Sequence, residues 1–309
     1  MARAYLKPRL PALKLPVVSI NIGYGQRNST YFLDDAGGTR YILRKRPSGT
    51  IISPVAHQVD REFRVLEALG KTDFPVPKVY CLCEDEGLIG TSFYVMQFIK
   101  GRILTDPTLA ELPPPRPWFS AIETIAKLHR IDPVAIGLEA FGKQTNFYER
   151  QCSTFSRIEA QQTAVRDKDT GALLGCAHAR YDDMVGFVRR NLPRDRSGIV
   201  HGDYKFDNII LHPSEPTVSA VLDWELSTLG NPLMDIVYLL SPYWFNPDPA
   251  YAPPNHNAHA MPSEKELLDR YTKLAGYDPI NERWHVAQMF HLIRGGTISH
   301  EIQARTITG

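Results

Sequence analysis

Apolar positions along the chain recur first with a period of two and later with a helical period. Leu15–Ile22 is an apolar run, Ser29–Leu33 alternates, and Tyr41–Arg46 alternates again after the turn Asp34-Asp35-Ala36-Gly37-Gly38. Past Pro54 the spacing changes. Val59, Phe63, Leu66 and Leu69 share one face of a helix predicted over Val55–Leu69. Pro75-Val76-Pro77 punctuates, and two more strands are predicted at Lys78–Glu84 and Ser92–Phe98. Five strands and one helix make a complete small lobe over residues 1–98. Beyond Thr105 the pattern is helical: Phe119–Ile131, Ala140–Ala164, His178–Leu192, Pro232–Tyr243, Ser263–Ala275 and Asn281–His300. Ser263-Glu264-Lys265-Glu266 has the form of a capping box and fixes one helix start. The fold class is therefore α+β, with a mainly helical second lobe over 99–309.

Composition narrows the picture only modestly. The chain has 309 residues, enough for two lobes, and a formal net charge of +1. That balance gives no support to bulk attraction to nucleic acid or membrane. No apolar run approaches the roughly 18 residues of a spanning helix. The basic start MARAYLKPRLPALKLPVV hints at a mitochondrial presequence, but Pro8, Pro11 and Pro16 should break the amphipathic helix such a signal needs. A cytoplasmic location is the better expectation. Cys81, Cys83, Cys152 and Cys176 read as reduced thiols, since no second pair completes a zinc site.

The chemistry concentrates in His201-Gly202-Asp203-Tyr204-Lys205-Phe206-Asp207-Asn208, with a later Asp223 closing the run Val221-Leu222. The order H-x-D-x-K-x-x-N followed by D is the kinase pattern, with Gly202 where protein kinases carry Arg. Phosphoryl transfer from Mg-ATP needs such a set: a carboxylate on the acceptor hydroxyl, a cation on the moving group, and an amide and a carboxylate on the metal. His201 reads as a loop brace rather than an acid or base. Gly23-Tyr24-Gly25-Gln26-Arg27-Asn28 joins two strands, a context that fits a flap over nucleotide phosphates and not a Rossmann turn. A kinase also needs a cation on the third strand, facing inward and held by a helical glutamate. Arg44 is preferred, Lys45 is the alternative, and Glu62 is the expected partner. Gln97 and Ile99 belong to a hinge whose backbone would read the base.

On these residues the sequence resembles the aminoglycoside phosphotransferase and choline kinase-like superfamily. It is similar above all to the kinase domains of acyl-CoA dehydrogenase family members 10 and 11 and their free-standing relatives. The resemblance implies a two-lobed protein-kinase-like fold with a five-stranded antiparallel sheet in the first lobe, and ATP-dependent phosphorylation of a small molecule's hydroxyl. It assigns Asp203 as hydroxyl orienter or base, Lys205 to the γ-phosphate, and Asn208 and Asp223 to Mg2+. Nucleotide contacts fall to Gly23, Gly25, Asn28, Arg44 or Lys45, Glu62, Gln97 and Ile99. Trp224-Glu225 replaces the Phe-Gly of protein kinases, and Arg replaces Lys on the third strand.

The acceptor is expected to be small, because only twelve positions separate Asp223 from Asp235 and no peptide-holding activation segment fits there. Phe141–Arg190 carries eight basic and six acidic residues, which suits a neutral or anionic acceptor such as a hydroxy acid or hydroxyacyl-CoA better than a polycation. Two other readings stay open. The Arg at the strand position and the short glycine loop suit a nucleotide-binding pseudokinase acting as a regulatory module, and the superfamily includes aminoglycoside and macrolide kinases.

Overall fold

The computed structural model describes residues 2–22, 28–46, 59–104, 116–244 and 262–308. They fall into two compact units. The first holds the chain to Thr124, a short return at Val134–Glu139, and His201–Ser227; the second holds Ile125–Pro133, Ala140–Val200 and the chain from Thr228.

In the first unit, β1 (Val17–Asn21), β2 (Ser29–Asp35), β3 (Arg40–Lys45), β4 (Val79–Cys83) and β5 (Phe93–Gln97) form a sheet in the order β1-β2-β3-β5-β4. Every neighbouring pair is antiparallel, as expected. Alternation along β3 sends Tyr41 and Leu43 to one face and Arg44 to the other. The first face is closed by a helix that the sequence reading lacks, α1 (Ala2–Arg9). Leu6, Leu10 and Leu13 pack there against Tyr41, Leu43, Cys81, Cys83, Phe93 and Val95. The Tyr5 hydroxyl ties the helix to the Leu82 carbonyl at 2.6 Å. Pro8 was expected to break such a helix. It sits instead in the last turn, where it forfeits one bond without interrupting those before it.

The other face of the sheet receives α2 (Val59–Leu69), whose Phe63 meets Tyr94 edge-on at 6.2 Å. The residues expected to begin this helix, 55–58, lie outside the described residues. A small second sheet, β6 (Arg102–Ile103), β8 (Ile209–Leu211) and β9 (Val218–Val221), completes the unit, while β7 (Gly198–Val200) and β10 (Thr228–Gly230) pair in the other. Gly101 passes so close to β8 that a Cβ there would strike Ile210 and the Leu211 carbonyl. The chain leaving β5 is thereby pressed onto the strand that follows Asn208.

The second unit takes the end of α3 (Arg116–Arg130) with α4 (Phe147–Thr163), α5 (Tyr181–Arg190), α6 (Leu233–Leu240), α7 (Glu264–Ala275) and α8 (Trp284–Thr308). The α7 capping box forms as read: Ser263 Oγ accepts from the Glu266 N–H, and the Glu266 carboxylate accepts from the Ser263 N–H. The start of α4 differs from the reading. Ala140–Asn146 is not helical, because Gly142 lies against Thr228 and Leu229 and Asn146 takes a left-handed φ of 55°. Arg283, left-handed at φ 63°, likewise delays α8 to Trp284, and its buried Thr297, His300 and Ala304 carry that helix past the expected end. Among the described residues no helix is long and apolar enough to cross a membrane.

Candidate active site

The face of the sheet that receives α2 carries the strand cation. Arg44 Nη1 reaches Glu62 Oε1 at 2.8 Å, and Arg44 Nη2 reaches Asp223 Oδ1 at 3.0 Å. β3, α2 and the segment after β9 therefore meet at one guanidinium, with 179 residues between Arg44 and Asp223. Lys45 takes the other parity and lies 5.6 Å over the Tyr31 ring. Of the two candidates, only Arg44 joins Glu62. Tyr94, opposite Arg44 in the register with β5, is fully buried beside them. Burial first, and the Glu62 charge second, push its phenol well above the ordinary value. Burial also opposes the Arg44 charge, but Glu62 and Asp223 outweigh it and hold the guanidinium above its usual range. Full burial pushes Glu62 up to about 7 against the pull of Arg44, and the nearby Asp223 and Glu225 add to the rise.

The loop after β7 is built around His201, which is wholly buried. Its Nδ1 accepts from the Asp203 N–H at 3.1 Å, so Nε2 carries the proton and donates to the Leu222 carbonyl at 2.8 Å. The ring is therefore neutral and joins the loop to the segment before Asp223, a brace as read. Gly202 has φ 86°, and a Cβ there would lie 2.6 Å from the Leu226 carbonyl oxygen. This close approach is why no arginine stands at the position. Tyr204 and Phe206 anchor the loop from below, Tyr204 by donating to the Ala121 carbonyl at 2.9 Å and Phe206 edge-on to Trp118 at 4.8 Å.

On the other side of the loop the polar residues converge. Asn208 Nδ2 donates to both the carbonyl oxygen and the Oδ2 of Asp203, each at 2.8 Å. Lys205 Nζ stands 3.9 Å from Asp203 and 3.5 Å from Asp207. Asp223 follows in a left-handed conformation, φ 64° and ψ 63°, at the start of a 3-10 turn over Trp224–Leu226. Trp224 locks that turn from inside: it is fully buried, donates from Nε1 to the Val221 carbonyl at 3.0 Å, and packs on His201 and Phe74.

Asn208 and Asp223 suit a magnesium site in the chemistry of their donors. With its amide hydrogens spent on Asp203, Asn208 keeps its carbonyl oxygen as a hard ligand. Asp223 offers Oδ2 beside the oxygen that Arg44 occupies. Magnesium takes one or two protein oxygens and leaves the rest to water and phosphate. Among the described residues no group of three or more His, Cys, Asp or Glu gathers into an all-protein cage.

Of the remaining expected residues, Gly23 and Gly25 lie outside the described residues. Asn28 is buried, and its Nδ2 donates to Glu225 Oε2 at 3.3 Å. Gln97 ends β5, where its N–H donates to the Lys78 carbonyl at 2.8 Å, and Ile99 lies half-buried just beyond it. Tyr94 is not singled out by the sequence reading, and Glu225 enters it only as part of the Trp224-Glu225 that replaces Phe-Gly, with no role of its own. The signal for Tyr94 was its place across from Arg44, and register is a property of pairing that a single strand does not reveal. The acceptor-side charge surplus is partly spent at the surface: Arg189 pairs with Glu149 at 3.2 Å and Arg180 with Asp183 at 3.1 Å.

A five-stranded sheet bearing a buried cation–glutamate pair, joined to a braced H-G-D loop and a following metal-type Asp, defines the class as a small-molecule kinase of the protein-kinase-like fold. The chain belongs to the phosphotransferase enzyme family, whose model matches residues 20–277. It is 35% identical over 305 residues to the Probable acyl-CoA dehydrogenase IBR3 of Arabidopsis thaliana, covering 93% of this chain and 36% of that protein. It is 34% identical over 321 residues to acyl-CoA dehydrogenase family member 11 of Rattus norvegicus, covering 99% of this chain and 39% of that protein. The chain thus spans little more than a third of the length of these curated relatives. Among solved structures, a Ralstonia eutropha protein provisionally assigned as an aminoglycoside phosphotransferase matches with a TM-score of 0.84 and 31% identity, over 100% of this chain and 89% of that one. These matches bear out the resemblance read from the motifs.

Proposed function

We propose that this chain transfers the γ-phosphoryl group of Mg-ATP to a hydroxyl of a small acceptor, with a hydroxy acid or hydroxyacyl-CoA as the favoured class. The observation that carries the reading is the meeting of Arg44, Glu62 and Asp223 in one ion-paired cluster. Bound magnesium nucleotide supplies the phosphoryl group and the charge that neutralises its transfer. Arg44, held by Glu62, presents a fixed cation to the nucleotide phosphates. Asp203 accepts the acceptor's hydroxyl proton as its oxygen bonds to phosphorus and the ADP oxygen leaves. The Asn208 amide keeps the Asp203 carboxylate in one orientation. Lys205 places positive charge beside that carboxylate, where the transferred group passes. Asn208 and Asp223 hold the metal, with residues 1–98 as the nucleotide-binding lobe and 99–309 as the catalytic and acceptor-binding lobe.

The acyl-CoA names of the relatives support the acceptor class: a dehydrogenase of acyl thioesters has use for chemistry on an acyl hydroxyl. ATP consumption and phosphorylated product, followed by mass spectrometry over a panel of hydroxy acids, hydroxyacyl-CoAs, amino alcohols and aminoglycosides, test the reading. Asp203→Asn should lower kcat by about 10²–10⁴-fold on the true acceptor. Undiminished turnover in that variant rejects the catalytic assignment. Turnover restricted to aminoglycosides rejects the acceptor class and leaves the phosphotransferase standing.

A further inference from the structure

The 3-10 turn that carries Asp223 is gripped at every second residue by a different element of the same unit. Arg44 from β3 holds the Asp223 carboxylate at 3.0 Å. Asn28, just before β2, holds the Glu225 carboxylate at 3.3 Å. Arg61 from α2 donates to the Ser227 carbonyl at 3.4 Å. The first and third grips come from residues flanking or forming the strand cation pair. The second comes from Asn28, 197 positions away in sequence, at the end of the glycine loop. Asn28 is 3% exposed, and among the described residues its Oδ1 has no hydrogen-bond partner. β2 is also the neighbour of β3, with Thr30 registered opposite Arg44. Asn28 therefore fixes Glu225 to the same end of the sheet that delivers Arg44 to Asp223.

We propose that Glu225, acting through Asn28, is a positioning residue for the metal ligand Asp223. The pair sets where the turn stands relative to β3, and with it the distance from Asp223 to Asn208. Neither residue touches the reacting atoms in this role. The inference rests on the phosphotransferase reading, since it assigns the purpose of holding Asp223 to magnesium binding.

The test is magnesium-dependent binding of a nonhydrolysable ATP analogue to the full chain by calorimetry, alongside thermal melting. Asn28→Ala and Glu225→Ala should each weaken binding about 5- to 20-fold at limiting magnesium, with the loss shrinking at saturating magnesium. The double variant should be no worse than the worse single one, because both remove one interaction. Glu225→Gln, which keeps an oxygen acceptor for Asn28, should recover most of the loss. Three results overturn the proposal. Asn28→Ala that binds like the wild type, with Glu225→Gln as damaged as Glu225→Ala, shows that Glu225 acts directly on the metal. Equal losses at all magnesium concentrations, tracking lowered melting temperatures, show a purely structural contact. A wild-type chain that binds no magnesium nucleotide removes the phosphotransferase reading itself, and the positioning role goes with it.

Discussion

Asp223 occupies a left-handed conformation that costs a non-glycine residue about 1–2 kcal/mol, and the three side chains around its turn supply the restraint that maintains it. Gly202, on the facing loop, shows the opposite solution, since only glycine fits beneath the Leu226 carbonyl. Gly202→Ala should destabilise the chain by about 1–3 kcal/mol in urea unfolding, through backbone strain and a forced shift of the turn. A variant as stable as the wild type would show that the two segments are not packed as described. Glu62 yields a prediction in pH. Burial raises its carboxyl from the ordinary 4.5 to about 7, so between those values the folded state binds more protons than the unfolded one. Its contribution to stability is present below about pH 4.5 and is lost as the pH rises through about 7. Glu62→Gln cannot ionise, so its unfolding free energy should fall less steeply over that window. An unchanged slope would assign the wild-type dependence to other groups.

At the scale of elements, each of the five sheet strands lies within two residues of its sequence reading, because alternation of apolar positions reports a half-buried strand directly. α1 escaped that reading. Its proline pattern argues against a helix, and its leucines acquire meaning only when a sheet face needs covering. Leu6 and Leu10 close the side of the sheet that Tyr41 and Leu43 present. Leu6→Ala should therefore cost about 2–4 kcal/mol, a core-sized loss, in chemical unfolding followed by circular dichroism. A loss below about 0.5 kcal/mol would mean the helix is dispensable to the sheet. The same logic explains the misplaced start of α4. Phe141 to Asn146 is read into the helix, yet Gly142 is drawn against Thr228 and Leu229, a contact with no trace in local spacing.

For the molecule as a whole, a ligand that binds only the folded state stabilises it by mass action. A magnesium nucleotide at a hundredfold excess over its Kd should raise the unfolding free energy by about 2.7 kcal/mol, read as a higher melting temperature. Asp223→Ala should lose the part of that gain that depends on magnesium. An equal gain in the variant would remove Asp223 from the metal. The sequence by itself determined the chemistry: H-G-D-Y-K-F-D-N and the later D-W-E are contiguous strings whose residue types and spacing name phosphoryl transfer before any folding is considered. It also determined the strands, since their periodicity is local. Only the tertiary structure showed that Arg44, and not Lys45, pairs with Glu62, because that pairing depends on which face of β3 each side chain takes, and α1 covers the face of Lys45. It alone brought Asn28 to Glu225 and Tyr94 to Glu62. Such contacts join residues far apart along the chain, and their energy comes from burial and pairing that no stretch of sequence contains alone.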